Sequence, residues 1–169
     1  MVFGMCGSAH AADDSSEINR MFSAGQVSEA FARLDALIAA RPRDPSLRFQ
    51  KAVLLTEAHR NDDAIAVFTQ LTIDFPEIPE PYNNLAVIYA AQHDYDKARA
   101  ALEAALRAKP DYAVAQQNLG DVYAQLARAA YSRALQLDPA NTALPTKLNQ
   151  LRGVVTSIPP AAKAPSTPQ

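Results

Sequence analysis

His59 and His93 each precede a pair of carboxylates, Asp62 with Asp63 and Asp94 with Asp96. Histidine near carboxylate is the raw material of a metal site or an acid–base pair. The spacing argues against both uses. The two histidines recur at one interval of a repeated pattern. If that pattern is a stack of helical hairpins, the two imidazoles lie roughly one helix diameter apart, about 10 Å. That is too far to share a metal ion, so each histidine is expected to sit at a turn and face water. The acids fall where helices would begin, and there a negative charge suits the positive end of the helix. Cys6 and His10 lie outside the repeated region, no Ser/His/Asp or Cys/His set can be assembled, and the 5 glycines never cluster into a phosphate loop. The expected chemistry is recognition rather than catalysis, with no metal and no cofactor.

The composition supports that direction. Of 169 residues, 49% are hydrophobic, and few are glycine. Valine and isoleucine are scattered rather than alternating, so helices are expected and strands are not. The net charge of −2 comes from interspersed signs. No basic stripe points to nucleic acid, and no apolar run reaches the ~18 residues that a membrane span needs. A single cysteine excludes a disulfide framework and a cysteine-based zinc site.

The termini read differently from the middle. Ala9-His10-Ala11 fits a small-x-small processing site, so residues 1–11 are expected to be the remnant of an export signal, although the stretch is short and lacks a basic residue. A periplasmic location follows, with a cytoplasmic one as the alternative. Residues 157–169 are rich in Pro and Ala and are expected to form a disordered tail.

Between the termini the chain repeats. Pro42, Pro76 and Pro110 mark a strict 34-residue period, and Pro139 arrives early, closing a 29-residue step. Ala30, Ala64 and Ala98 keep the full period, as do Gly25, His59 and His93. Each period reads as two amphipathic helices joined by a turn. Small residues (Ala52, Ala86 and Gly120 on the first helix; Ala30, Ala64 and Ala98 on the second) let the pair cross closely. Proline ends each second helix. The helices are expected at residues 14–23, 27–40, 46–59, 62–74, 80–92 and 95–108.

Tyr82, Leu85, Ala86, Tyr89, Ala98, Leu102, Ala105 and Pro110, set in this period, resemble the tetratricopeptide repeat. The resemblance runs from near Asp14 to Pro139 and is strongest over residues 79–112. It is weaker in the first repeat, where Ile18 and Met21 replace the small residue and the aromatic. It implies an all-α, right-handed solenoid of helix pairs, with repeats over residues 12–44, 45–78, 79–112 and 113–139 in a helical domain spanning 12–156. It also implies a concave face on the first helix of each pair that takes an extended peptide or a partner helix. Carried over by position, that groove comprises Phe49, Gln50 and Val53; Asn83, Asn84 and Val87; and Gln117, Asn118 and Asp121. An amide can donate to and accept from a ligand backbone, and Asn84 and Asn118 occupy positions where the family often uses asparagine for this. The cationic clamp of the chaperone-binding members is missing, since Glu80 and Val114 stand among its positions. The resemblance therefore implies a protein–protein adaptor or scaffold.

The fourth repeat is five residues short, and the missing residues are those of its turn. Apolar positions continue through it at steps of three and four, and one continuous helix is expected from about Tyr112 to Asp138. Its second half would carry Tyr131, Ala134 and Leu135 on a face needing cover. A capping helix over residues 143–156 is one cover. A second copy of the chain is the other, with Tyr131, Ala134 and Leu135 then mediating self-association. Two alternative functions follow: a self-associating structural protein, or a non-catalytic accessory subunit of an envelope enzyme or assembly machine.

Overall fold

The computed structural model describes the backbone of residues 7–153 and the side chains from Asp13 onward. Among these residues there are eight helices and no strand: α1 (Gly7–Ser23), α2 (Val27–Ala40), α3 (Pro45–Glu57), α4 (Asn61–Asp74), α5 (Pro79–Ala91), α6 (Tyr95–Ala108), α7 (Ala113–Leu137) and α8 (Ala143–Arg152). The helix boundaries follow the repeat landmarks to within a residue or two, except at α1. That helix begins at Gly7 rather than near Asp14, so the backbone through Ala9-His10-Ala11 is helical. Alanine is the strongest helix former, and Ala9, Ala11 and Ala12 extend the helix backwards. Residues 1–6 of the expected export remnant and the whole of the expected tail lie outside the described residues.

The three turn landmarks share one backbone state. Gly25 (φ 81°), His59 (φ 58°) and His93 (φ 62°) are all left-handed. The next amide then closes the helix end: Gln26 N donates to Met21 O at 3.0 Å, Arg60 N to Leu55 O at 2.8 Å, and Asp94 N to Tyr89 O at 2.9 Å. This is the left-handed cap that glycine adopts without steric cost and an L-residue adopts with strain. His59 is exposed, and among the described residues its side chain has no hydrogen bond that would offset the strain. His59→Gly is therefore expected to stabilise the fold by about 0.5–1 kcal/mol, read as a higher denaturation midpoint. His93→Gly should gain less, because His93 Nδ1 is hydrogen-bonded to Tyr95 Oη at 3.0 Å.

Helix starts are equally local. Pro45 and Pro79 open α3 and α5, where a missing N–H costs nothing. Asp44 accepts from Ser46 N at 2.9 Å, and Asp94 from Lys97 N at 3.2 Å. Asp94 also pairs with Lys97 Nζ at 2.7 Å. The Lys97 side-chain and backbone bonds hold the Asp94 carboxyl below its usual value. Asp62, Asp63 and Asp96 lie in first turns. All four of these aspartates, Asp62, Asp63, Asp94 and Asp96, are helix-start residues.

Within the helical region the chain divides into two compact units inside α4, between Val67 and Phe68. In the first unit, α1, α2, α3 and the start of α4 enclose Ile18, Ala30, Leu34, Leu47, Ala52, Leu55 and Ala64. Ile18 fills the position held by a small residue in later repeats and is fully buried. Asp14 holds Arg33 at 3.2 Å and Arg41 at 2.8 Å, tying α1 to α2. Phe22 meets Phe31 edge-on at 6.1 Å.

In the second unit, α5, α6 and the first half of α7 share one core. Ala86, Ala90, Ala98, Leu102, Ala105, Ala115, Leu119 and Val122 form it, flanked by Tyr82, Tyr89, Tyr95, Tyr112 and Leu126. The alanines at the α5–α6 crossing permit the close approach that their spacing implied. Tyr82 Oη donates to Thr72 O at 3.2 Å and anchors α5 to the end of α4.

The turnless fourth repeat is a single helix. α7 runs 25 residues without a break, about 37 Å at 1.5 Å per residue. It ends before Pro139, with Asp138 N donating to Ala134 O at 2.9 Å. α8 then packs against α7, with Leu144 buried and the Lys147 ammonium 5.2 Å from the Tyr131 ring centre.

Candidate partner-binding face

Three amides, Gln50, Asn84 and Asn118, occupy one and the same position of successive repeats. All three are buried, and their nitrogens are used inside the protein. Gln50 Nε2 donates to Ser15 O and Asn19 Oδ1 of α1, both at 3.0 Å. Asn118 Nδ2 donates to Asn83 Oδ1 of α5 at 2.8 Å. Asn84 Nδ2 turns along its own helix to Glu80 O at 2.9 Å. Gln50 and Asn118 thus each reach the first helix of the preceding repeat. They fix the register of neighbouring helices, and they do so strongly in a low-dielectric setting, where an unmade bond is costly.

This corrects the expected groove. Asn83 is 0% exposed and Asn84 and Asn118 are each 2% exposed, so these asparagines do not offer free amides to a ligand. Phe49 and Gln50 are likewise interior. Among the described residues Asn83 Nδ2 has no hydrogen-bond partner, which makes it the weak point of the amide pair. Of the expected groove residues, Gln117 is exposed, and Val53, Val87 and Asp121 are half-buried.

In the second unit, the surface shared by α5 and α7 therefore consists of Val87, Gln117 and Asp121, with half-buried Glu80 and 42%-exposed Val114 beside them. Val114, which the sequence marked only as a missing cation, is an exposed apolar residue. Its signal was a β-branched residue off the apolar stripe in the first turn of α7. The face is two valines, one amide and two carboxylates, apolar with a negative rim.

Glu80 also bears on Tyr112, which is half-buried between α6 and α7. Burial, reinforced by the Glu80 charge, pushes the Tyr112 phenol up to about 12. The neutral form is thus favoured in the folded state, and its contribution to stability is complete below pH ~10, the ordinary tyrosine value, and lost as pH rises through about 12. Phenolate absorbance should show Tyr112 titrating last, and Tyr112→Phe should remove that late transition.

The residues expected for self-association sit under α8 instead of standing free. Tyr131, Ala134 and Leu135 are half-buried, while Leu137 remains 75% exposed. Among the described residues, no group of His, Cys, Asp and Glu could hold a metal ion, and no helix is long and apolar enough to cross a membrane.

Helix pairs in a regular repeat, small at their crossings and capped by left-handed turns, define an all-α protein of the α-solenoid class. The sequence matches the tetratricopeptide repeat over residues 19–79, 55–113 and 83–142, and the chain belongs to that family. It is 33% identical over 94 residues to the tetratricopeptide repeat domain-containing protein PYG7, chloroplastic, of Arabidopsis thaliana, a match covering 48% of this chain and 31% of that protein. The chain thus spans about a third of the length of that relative. Among solved structures it is similar to MamA, with a TM-score of 0.57 and 18% identity over 82% of this chain and 85% of that one. It is also similar to a chain of the Naa15/Naa10 complex bound to HypK-THB, with a TM-score of 0.55 and 16% identity over 85% of this chain and 22% of that one. At these identities the structural likeness speaks for the fold alone.

Proposed function

We propose that this protein is a non-catalytic adaptor that docks a peptide or helix of another protein on the α5–α7 face of its second unit. The family supports a protein-binding scaffold in general. The observation that carries the specific reading is the contrast across that face: Asn83, Asn84 and Asn118 are buried beneath it, while Val114 and Gln117 stand exposed upon it. The buried amides hold the two helices in register, and the exposed residues make the contact. The carboxylates of Glu80 and Asp121 favour a segment that carries basic residues beside apolar ones.

Val114→Asp combined with Gln117→Arg should abolish capture of a partner from extracts of the native host, with helical content and melting temperature unchanged. Capture that persists in this variant overturns the assignment of the face. The export reading stands with the adaptor role as part of the proposal. N-terminal sequencing of protein recovered from the periplasmic fraction tests it, a start at Ala12 being the expected result and an intact N-terminus in the cytoplasm the contrary one.

A further inference from the structure

The core-facing stripe of α7 outlasts the core. Ala115, Leu119 and Val122 lie on it at steps of four and three, and all are buried against α5 and α6. Leu126 packs on the edge of that core. The same steps then carry the stripe on to Ala130, Arg133 and Leu137, and there it is bare: Ala130 and Arg133 are exposed, and Leu137 is 75% exposed. α8 covers the adjoining side of this half of α7, the side of Tyr131. The interspersed signs of the chain also give way to one sign here. From Val122 to Gly153 the charged residues are Arg128, Arg133, Lys147 and Arg152 against Asp138 alone, in a chain whose net charge is −2. Arg133 pairs with no carboxylate among the described residues.

We propose that the bare stripe, Leu126 to Leu137, is a second docking surface, and that it takes an acidic amphipathic helix of another protein. Shape asks for a helix. The stripe is helix-packed as far as Leu126, and its bare part continues the same ridge for about 17 Å, or three turns. Leucines at helical spacing on a partner fit a ridge of that kind. Charge asks for acid. Arg133 interrupts the apolar stripe, and a glutamate beside the partner's leucines answers it with a charge-assisted hydrogen bond. Arg128, Lys147 and Arg152 add a positive field around the same end of the unit. Other occupants fit less well. Residues 154–169 carry Lys163 and no acid, and a second copy laid stripe on stripe would set Arg133 against Arg133. The surface has the opposite sign to the α5–α7 face, where Glu80 and Asp121 stand, so the two faces select different partners.

Fluorescence anisotropy on the full chain tests this, with two labelled helical peptides of about three turns as probes. One carries leucines on one face with glutamates beside them. The other keeps the leucines and has lysines in place of the glutamates. The glutamate peptide is expected to bind saturably, more weakly as salt is raised, and the lysine peptide is expected not to bind. Arg133→Glu should weaken the glutamate peptide by about 10-fold or more, and Arg133→Lys by much less. Leu137→Gln should weaken it as well. Both side chains are exposed, so the melting temperature should not move. Val114→Asp with Gln117→Arg, which disables the α5–α7 face, should leave this binding unchanged, so failure at one face is read apart from failure at the other. Equal binding of the two peptides, no binding of the glutamate peptide, or binding indifferent to Arg133→Glu and Leu137→Gln overturns the proposal. Two other results overturn it in favour of a different occupant. One is a wild type of twice the 18.2 kDa chain mass in light scattering that falls to the single mass in Leu137→Gln, which assigns the stripe to a second copy. The other is binding to phosphatidylcholine vesicles containing phosphatidylglycerol but not to the glutamate peptide, which assigns it to a lipid surface.

Discussion

Leu102→Ala is expected to lower the stability of the second unit by about 2–5 kcal/mol, the cost of emptying a well-packed leucine site. Leu102 is 0% exposed and sits where α5, α6 and α7 share their core. Its neighbours there are largely alanines, Ala86, Ala98 and Ala105 among them, and alanines have no side-chain freedom with which to refill a cavity. Set against the ~5–15 kcal/mol of a typical domain, the loss is enough to bring unfolding near ambient conditions. Urea denaturation followed by helical circular dichroism measures it. The control is Leu137→Ala, on the same unit but 75% exposed, where a change within about 0.5 kcal/mol is expected. Equal losses at the two sites would mean that the core is not where the α5–α6 crossing puts it.

Asn118→Ala is expected to cost about 1–3 kcal/mol, the penalty of a buried polar group left without its partner. Asn83 would then have neither its Oδ1 nor its Nδ2 bonded, in a site that excludes water. The double replacement Asn83→Leu with Asn118→Leu should cost much less than the sum of the two single leucine variants, because it removes both polar groups at once. Denaturant midpoints of the four proteins in this cycle give the coupling directly. Additive losses would show that the two amides act independently. Partner capture should survive wherever the Asn118→Ala protein is folded, since the exposed residues are untouched. That outcome separates a scaffold asparagine from a ligand-binding one.

Much of the fold was legible because its punctuation is local. Proline, glycine and first-turn aspartate act on their own helix ends, and α2 and α6 fall where the spacing put them, at Val27–Ala40 and Tyr95–Ala108. The absence of turn residues after Gly120 sufficed to foretell α7. The left-handed histidines were marked by sharing the phase of Gly25. The site was harder to read. Periodicity tells which face of a helix a residue occupies, but not how deeply the neighbouring helix covers it. Asn118 repeats Asn84 one period on, yet its partner is Asn83, and only the crossing of α5 and α7 brings the two together. An amide suited to a ligand backbone is equally suited to a neighbouring helix. The division within α4 was illegible for a similar reason, because the repeat continues through it unchanged.

A partner lying along α5 and α7 of the second unit, above the buried amides, is within reach of a probe carried on those helices. Site-specific photo-cross-linking reads its position out. A photoreactive side chain is placed in turn at Val114 and Gln117, and at exposed Ala100 and Arg107 on α6, and each protein is irradiated in its native host. One and the same partner band is expected from Val114 and Gln117, with none from Ala100 or Arg107. Bands from α6 with none from Val114 or Gln117 would contradict the assignment of the binding face.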